Sequence, residues 1–217
     1  VAITRFGDER GLSINGALDM IGGISDLNTV KRRVTIKVGV YTKKRAHHSS
    51  VDVVRAIINA FNKTPEILLA ESDNYQGTGS ERLQVWKELF AGNVVPFNLS
   101  EDTETRRFRI GGENLQLSHV LFKPNVLVST HVLRTFDKGS ILKNLFGLVP
   151  DSKKSRFHKN LPTVLADLYE AIGGIDLAVM DGTNLWHAWA GPTTRMNAIL
   201  VGRDAVAVEA VGGVLAG

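Results

Sequence analysis

Strand-length aliphatic runs alternate with segments of helical spacing along most of the chain, and this rhythm constrains the fold more than any other feature. Val34 to Val40 is a β-branched run, after which Val54, Ile57, Ile58 and Phe61 recur at helical spacing. Ile67 to Ala70 is a second short apolar run, followed by Leu83, Trp86 and Phe90 on a helical face. Val126 to Val128 reads as a strand, and Leu142 to Phe146 as a short helix closed by Gly147. Leu161, Val164, Leu165, Leu168 and Ile172 make the clearest helix, with Pro162 accepted in its first turn. Leu177 to Met180 and Ile199 to Val201 are further strands, and Asp204 is placed to cap a final Ala/Val-rich helix. Alternation of this kind predicts an α/β fold with a mostly parallel sheet and helices on both faces. Gly111-Gly112 within Arg106 to Leu117 predicts a small antiparallel edge hairpin.

Composition narrows the function classes. The 217 residues contain no cysteine, which excludes disulfides, thiolate metal sites and any Cys-ligated iron–sulfur cluster within this chain. The longest stretch free of Asp, Glu, Lys and Arg is Gly182 to Thr194, too short and too polar to span a bilayer, so no membrane partner is expected. No signal-like apolar segment opens the chain, and a soluble cytoplasmic protein is the expectation. Val1 at the start, and a helical pattern running almost to Gly217, suit a single domain over residues 1–217 cut from something longer.

The net charge of +4 is unevenly spread. Lys31 to Arg45 carries basic residues and no acidic one, whereas Glu66 to Glu104 is predominantly acidic. A basic run is ordinarily a solvated face; the sharper alternative is a rim that attracts anions. Nucleic acid ranks lowest as a partner, because only Tyr41 interleaves an aromatic ring with these charges.

Ligands of open parallel sheets sit beyond the carboxyl ends of the strands, which directs attention to the loops following them. Those loops are Tyr41 to Ser50, Ser72 to Gly79, Thr130 to Gly139, Asp181 to Arg195 and Gly202-Arg203. His47, His48, His131 and His187 fall within them, and His158 follows the short helix. Imidazole serves both proton transfer and metal ligation near neutral pH. For His47-His48, beside Lys43, Lys44 and Arg45, a surface loop is the simpler reading. His187, between Trp186 and Trp189, either lines a pocket or fastens a long loop. Neither an HExxH motif nor a helical His pair is present, so the sequence gives only a weak metal signal. Gln76-Gly77-Thr78-Gly79-Ser80 opens the Leu83 helix, where Gly77 and Gly79 would let backbone amides approach an anion and Ser80 could cap. Lys143 and Asn144 interrupt an apolar turn. A solvated helix face explains them, but they also stand close in sequence to His131 and His158. No GxSxG elbow occurs, against an α/β-hydrolase.

Thr130-His131, Gly139-Ser140, the run Leu142 to Pro150 and then His158 resemble the core of domain-of-unknown-function family 362. Asp181-Gly182, Gly191-Pro192 and Asp204 to Val208 follow in the same order, so the resemblance extends from about Leu12 to the end of the chain. It implies an α/β protein, in a family whose members sometimes carry iron–sulfur domains that a chain without cysteine cannot supply. A fainter likeness to nickel-dependent lactate racemases implies His131 and His158 as metal or cofactor ligands and Lys143 as an anchor for an anionic group. The chain departs from the family pattern at Lys37-Val38-Gly39, where the family has Lys-Pro-Asn. Further departures are Ser129, where a basic residue is usual, and Trp186 to Ala190.

The expected function is binding of a small anionic ligand, with or without a divalent metal, in a strand-end cleft. The expected catalytic set is His131, Lys143 and His158, with His131 and His158 doubling as metal ligands. Gly77, Gly79, Ser80, Asn144, Asp181 and His187 are the expected ligand-binding residues. The alternative is a non-catalytic partner module for an electron-transfer or other protein, using the Trp186 to Trp189 stretch and the basic run as interface.

Overall fold

The computed structural model describes residues 1–5, 10–44, 46–136, 139–189 and 191–217, and the backbone alone for residues 10–13. The strands are β1 (Ala2–Arg5), β2 (Val34–Val38), β3 (Ile67–Glu71), β4 (Val94–Asn98), β5 (Thr105–Ile110), β6 (Glu113–Ser118), β7 (Val126–Arg134), β8 (Leu177–Trp186) and β9 (Thr193–Gly202). The helices are α1 (Arg10–Met20), α2 (Val51–Ala60), α3 (Gly79–Leu83), α4 (Ile141–Asn144), α5 (Leu161–Ala171) and α6 (Ala205–Ala216). Short 3-10 turns cover Gln84–Leu89, His119–Leu121, Leu145–Leu148 and Lys154–Asn160.

Seven strands form one sheet in the order β1-β9-β8-β7-β2-β3-β4. From β4 to β8 every pairing is parallel; β9 runs antiparallel to β8, and β1 antiparallel to β9. The expected mostly parallel α/β architecture is therefore present. Strands buried on both faces need apolar residues at successive positions, and β2 and β3 are buried along their whole length. Val34, Ile36, Val38, Ile67 and Leu69 pack under α1 and α2 with Phe61 and Trp86. Leu68, Ala70, Leu127, Ala178 and Met180 belong to the opposite core, which α4, α5, α6 and the β5–β6 hairpin cover.

Helix starts follow their capping chemistry. Ser50 Oγ accepts from Val53 N at the start of α2, and Asp204 Oδ1 from Ala207 N at the start of α6. At α3 the cap is Thr78, not Ser80. Thr78 Oγ1 accepts from Glu81 N, and Glu81 Oε2 accepts in return from Thr78 N. Gly111 and Gly112, both at positive φ, turn β5 into β6 as their pairing predicts. This hairpin forms a sheet of its own and does not extend the edge of the main one.

Three elements lie where sequence patterning shows little. β1 is a largely exposed edge strand, β4 carries Pro96 at the other edge, and α1 lacks a marked apolar stripe. The expected Asp181–Arg195 loop is mostly strand, because β8 continues to Trp186 and pairs with β9 as a long hairpin. Gly147 sits inside a 3-10 turn that extends α4 and does not end it.

Candidate functional site

Beyond the carboxyl ends of β2, β3 and β7 lies a cavity of about 490 Å³. β2 brings Lys37 and then Gly39, Val40 and Tyr41 to it, β3 brings Glu71, and β7 brings His131 and Arg134. α4 contributes Lys143 and Asn144, and the segment after it Gly147, Lys154 and His158. This is the position at which open parallel sheets bind ligands.

Its floor is a network of buried ionic groups. Lys37 is 1% exposed, and its Nζ donates to Glu71 Oε2 at 3.0 Å, Asn144 Oδ1 at 3.0 Å and Val38 O at 2.9 Å. Three acceptors account for all three protons of the ammonium. Glu71 Oε1 accepts from Ser72 N at 2.9 Å, and Arg82 Nη1 lies 3.6 Å from Glu71 Oε2. Arg82 also donates to the carbonyls of Val40 and Ser72. Burial alone would raise the Glu71 carboxyl, but Lys37, Arg82 and Lys154 together hold it below its ordinary value, so it is ionised. Lys154 Nζ donates to Ser72 Oγ at 2.5 Å, and that hydroxyl is 2.6 Å from Gly147 O and 2.9 Å from Val149 O.

Asn144 links the strands to α4. Its Oδ1 accepts from Lys37, and its Nδ2 donates toward Lys37 O at 2.9 Å and Ser129 Oγ at 3.1 Å, with Thr130 O at 3.2 Å. The amide is thereby occupied within the protein. Gly147 is required beside it, since a Cβ there would stand 2.5 Å from Lys37 Nζ and 2.7 Å from Glu71 Oε1.

His131 lies within β7, not after it, and is 7% exposed. Its Nδ1 accepts from Val132 N at 2.8 Å, which leaves the proton of the neutral ring on Nε2. Burial, then the charges of Arg134 and Lys37, push its pKa well below the ordinary value. The ring packs on Gly39, where a Cβ would lie 2.6 Å from its carbons. Gly39 is one of the positions at which the chain departs from the pattern it resembles.

The mouth is aromatic. Tyr41 meets Tyr75 at 5.6 Å and Trp189 at 5.0 Å between ring centroids, and Phe146 lies 5.1 Å from the exposed His158. Behind Trp189, His47 is 3% exposed and touches Phe136, Trp186 and Trp189. The surface-loop reading of His47 is thus overturned, because these rings enclose it. His48 packs edge-on to Trp86, and burial lowers its pKa.

Of the residues singled out by sequence, His131, Lys143, Asn144 and His158 do converge on this cavity. Gly77, Gly79, Ser80, Asp181 and His187 do not line it. Asp181 accepts from Ser50 N at 2.8 Å and Thr183 N at 3.0 Å, while His187 Nε2 pairs with Thr194 Oγ1 at 2.8 Å across the β8–β9 hairpin. Gly79 is pressed between Asn98 and the Glu71 carbonyl, and its N–H donates to Asp73 Oδ1 at 2.8 Å. Lys37, Glu71, Arg82 and Lys154 are not among the sequence-predicted site residues. Lys37 alone has a sequence signal, being a charge set inside a strand-length β-branched run.

The basic run does not form one surface. Lys37 points into the floor, Arg33 pairs with Glu66 at 2.5 Å, and Arg32 donates to Pro124 O at 2.8 Å; Arg45 lies outside the described residues. Ala190, at the end of the tryptophan stretch, also lies outside them, as do residues 137–138 of the loop after β7. Among the described residues no three His, Asp or Glu side chains gather as a metal ion would need, and no helix is long and apolar enough to cross a membrane.

Comparison with curated proteins finds no match to this chain. The sequence model of the family described as "Domain of unknown function (DUF362)" matches residues 34–213. That range starts at the first residue of β2, reaches into α6 and contains every residue that lines the cavity, and the chain belongs to this family.

Proposed function

We propose that the cavity binds a small organic anion, a carboxylate or a phosphate ester. The observation that carries this reading is the charge of its wall. Buried Lys37, Arg82 and Lys154 surround the carboxylate of Glu71, the one acidic side chain among the described residues that line it; Arg134 and Lys143 line it as well. Both oxygens of that carboxylate are already engaged by Lys37 and the backbone. Three buried cations around one carboxylate are costly unless a further counter-charge arrives. A ligand anion would supply it.

Within this reading Lys143 pairs the anion, and His131 offers its Nε2 proton as a neutral donor. His158 and Phe146 flank the entrance, while Tyr41, Tyr75 and Trp189 supply faces for the organic part of the ligand. Asn144 holds Lys37 and α4 in place without touching the ligand. Asp181 and His187 act through the loops they fasten.

A divalent metal fits less well. With Nδ1 of His131 accepting a backbone proton, Nε2 carries hydrogen and presents no lone pair. Both oxygens of Glu71 already accept hydrogen bonds, Oε1 from Ser72 N and Oε2 from Lys37 and Val40 N. The likeness to nickel-dependent racemases therefore gains no support from this donor set.

Thermal unfolding in the presence of citrate, benzoate, 2-oxoglutarate, glucose 6-phosphate or divalent chlorides tests the reading. At a hundredfold excess over Kd a ligand adds about 2.7 kcal/mol, which corresponds to a rise of about 5–10 °C for a chain of this size. We expect one or more organic anions to produce it. A response to divalent ions alone, or none beyond that to sodium chloride, would overturn the proposal.

A further inference from the structure

The cavity floor contains two buried lysines in contrasting states. Lys37 gives its three protons to Glu71, Asn144 and Val38 O, so its nitrogen has no capacity for chemistry. Lys154 is 6% exposed, lines the same cavity, and makes a single hydrogen bond among the described residues, to Ser72 Oγ. Among the described residues no carboxylate pairs directly with it. Glu71, the nearest acidic group in the network, is committed to Lys37, Val40 N and Ser72 N. Ser72 in turn has backbone carbonyls as its own acceptors, so its oxygen is left to receive a proton from Lys154. One N–H of a neutral Lys154 amine satisfies that contact and leaves the lone pair available.

The surroundings favour the neutral amine. Lys37 and Arg82 stand on the same floor, and an ammonium placed beside other cations in a poorly hydrated site loses its proton readily. The Lys154 pKa is lowered to about 7, chiefly by burial; Lys37 and Arg82 add to the shift, and Glu71 and Asp73 oppose it. Lysine amines prepared in this way are nucleophiles toward carbonyl carbon.

We propose that Lys154 is a nucleophilic lysine that forms an imine with a small oxo acid held in this cavity. This rests on the anion-binding reading above, since the acid group of the ligand is what the remaining cations retain. The Lys154 nitrogen attacks the carbonyl carbon, a C–N bond forms, and the C=O π pair moves to oxygen. The two amine protons pass to that oxygen, which leaves as water as the C=N bond closes. No oxidant, reductant or further reactant enters. Ser72 Oγ positions the nitrogen, and the aromatic mouth limits the water that would hydrolyse the imine.

Incubation of the full chain with pyruvate, acetoacetate or 2-oxoglutarate and sodium cyanoborohydride, followed by peptide mass mapping, tests the inference. The expected result is a reduced adduct on Lys154, formed at least tenfold faster than on the exposed neighbours Lys153 and Lys159, and absent from Lys154→Arg. Circular dichroism on that variant checks that it folds. Calorimetric titration with L-lactate, 3-hydroxybutyrate and 2-hydroxyglutarate, which have the acid group but no carbonyl, separates the two claims. Binding of a hydroxy acid without any adduct on Lys154 from its oxo counterpart would overturn the imine and leave anion binding standing. Adducts spread evenly over surface lysines would also overturn it. Failure of both oxo and hydroxy acids to bind or react would overturn the imine, and failure of citrate, benzoate and glucose 6-phosphate as well would overturn both.

Discussion

Ile36 and Lys37 are adjacent on β2 and equally deep, at 0% and 1% exposure, yet they serve opposite regions of the molecule. Ile36 points into the apolar layer beneath α1 and α2, where dispersion and water exclusion hold the fold. Lys37 points into the ionic floor, where each charged group persists only because another is beside it. The first layer is sealed by long helices. The second is covered by α4 and the 3-10 turns after it, short elements that leave a cavity open. The same sheet therefore carries an apolar, stabilising face and, at one end of the other face, a floor of buried charges beside an open cavity. Local departures from the apolar pattern of this kind are expected where function resides.

The largest effect should come from breaking the ionic floor. Glu71→Ala leaves Lys37 and Arg82 without their carboxylate and should cost about 3–5 kcal/mol in urea unfolding. A loss below about 1 kcal/mol would mean that the floor is hydrated and that its polar groups are not tightly coupled. Ile36→Ala should cost about 2–5 kcal/mol through lost burial and a cavity. Here the folded fraction should bind anions as before, because Ile36 does not line the cavity. A changed affinity would show that the two layers are coupled.

A smaller, pH-dependent effect should follow from Lys154. Its pKa of about 7 in the folded protein lies below the ordinary 10.5 of lysine, so between these values the unfolded chain binds more protons. Stability due to this group therefore rises with pH across that window, by at most about 1.4 kcal/mol per pH unit, and its penalty is full below pH 7. Lys154→Met should flatten this slope and raise the melting temperature at pH 6 more than at pH 9. An unchanged slope would place the ammonium in water.

The comparison also explains what could be read from sequence. The sheet and most helices are legible because hydrophobic periodicity reports burial; β2, β3 and β7 are buried throughout, and β8 from Leu177 to Gly182. β1 and β4 escape because edge strands need only half a pattern. His131, Lys143, Asn144 and His158 are legible as polar residues near strand ends, and they share a cavity. Lys37 is hidden by its neighbours, since a basic run from Lys31 to Arg45 invites a surface reading. Its position within a strand-length β-branched run was the contrary signal: a strand covered on both faces must bury its lysine. Lys154 gives no such signal beside Lys153 and Arg156, because only the fold separates the buried member of that cluster from the exposed ones.

The most direct test of the cationic cavity is calorimetric titration of the best-binding organic anion into the parent protein and Lys143→Met, at low and moderate salt. Binding in the micromolar to millimolar range, weakened about tenfold by removal of one charge-assisted contact, is the predicted result. Affinity identical in the two proteins, or no heat of binding for any carboxylate or phosphate ester, would contradict it.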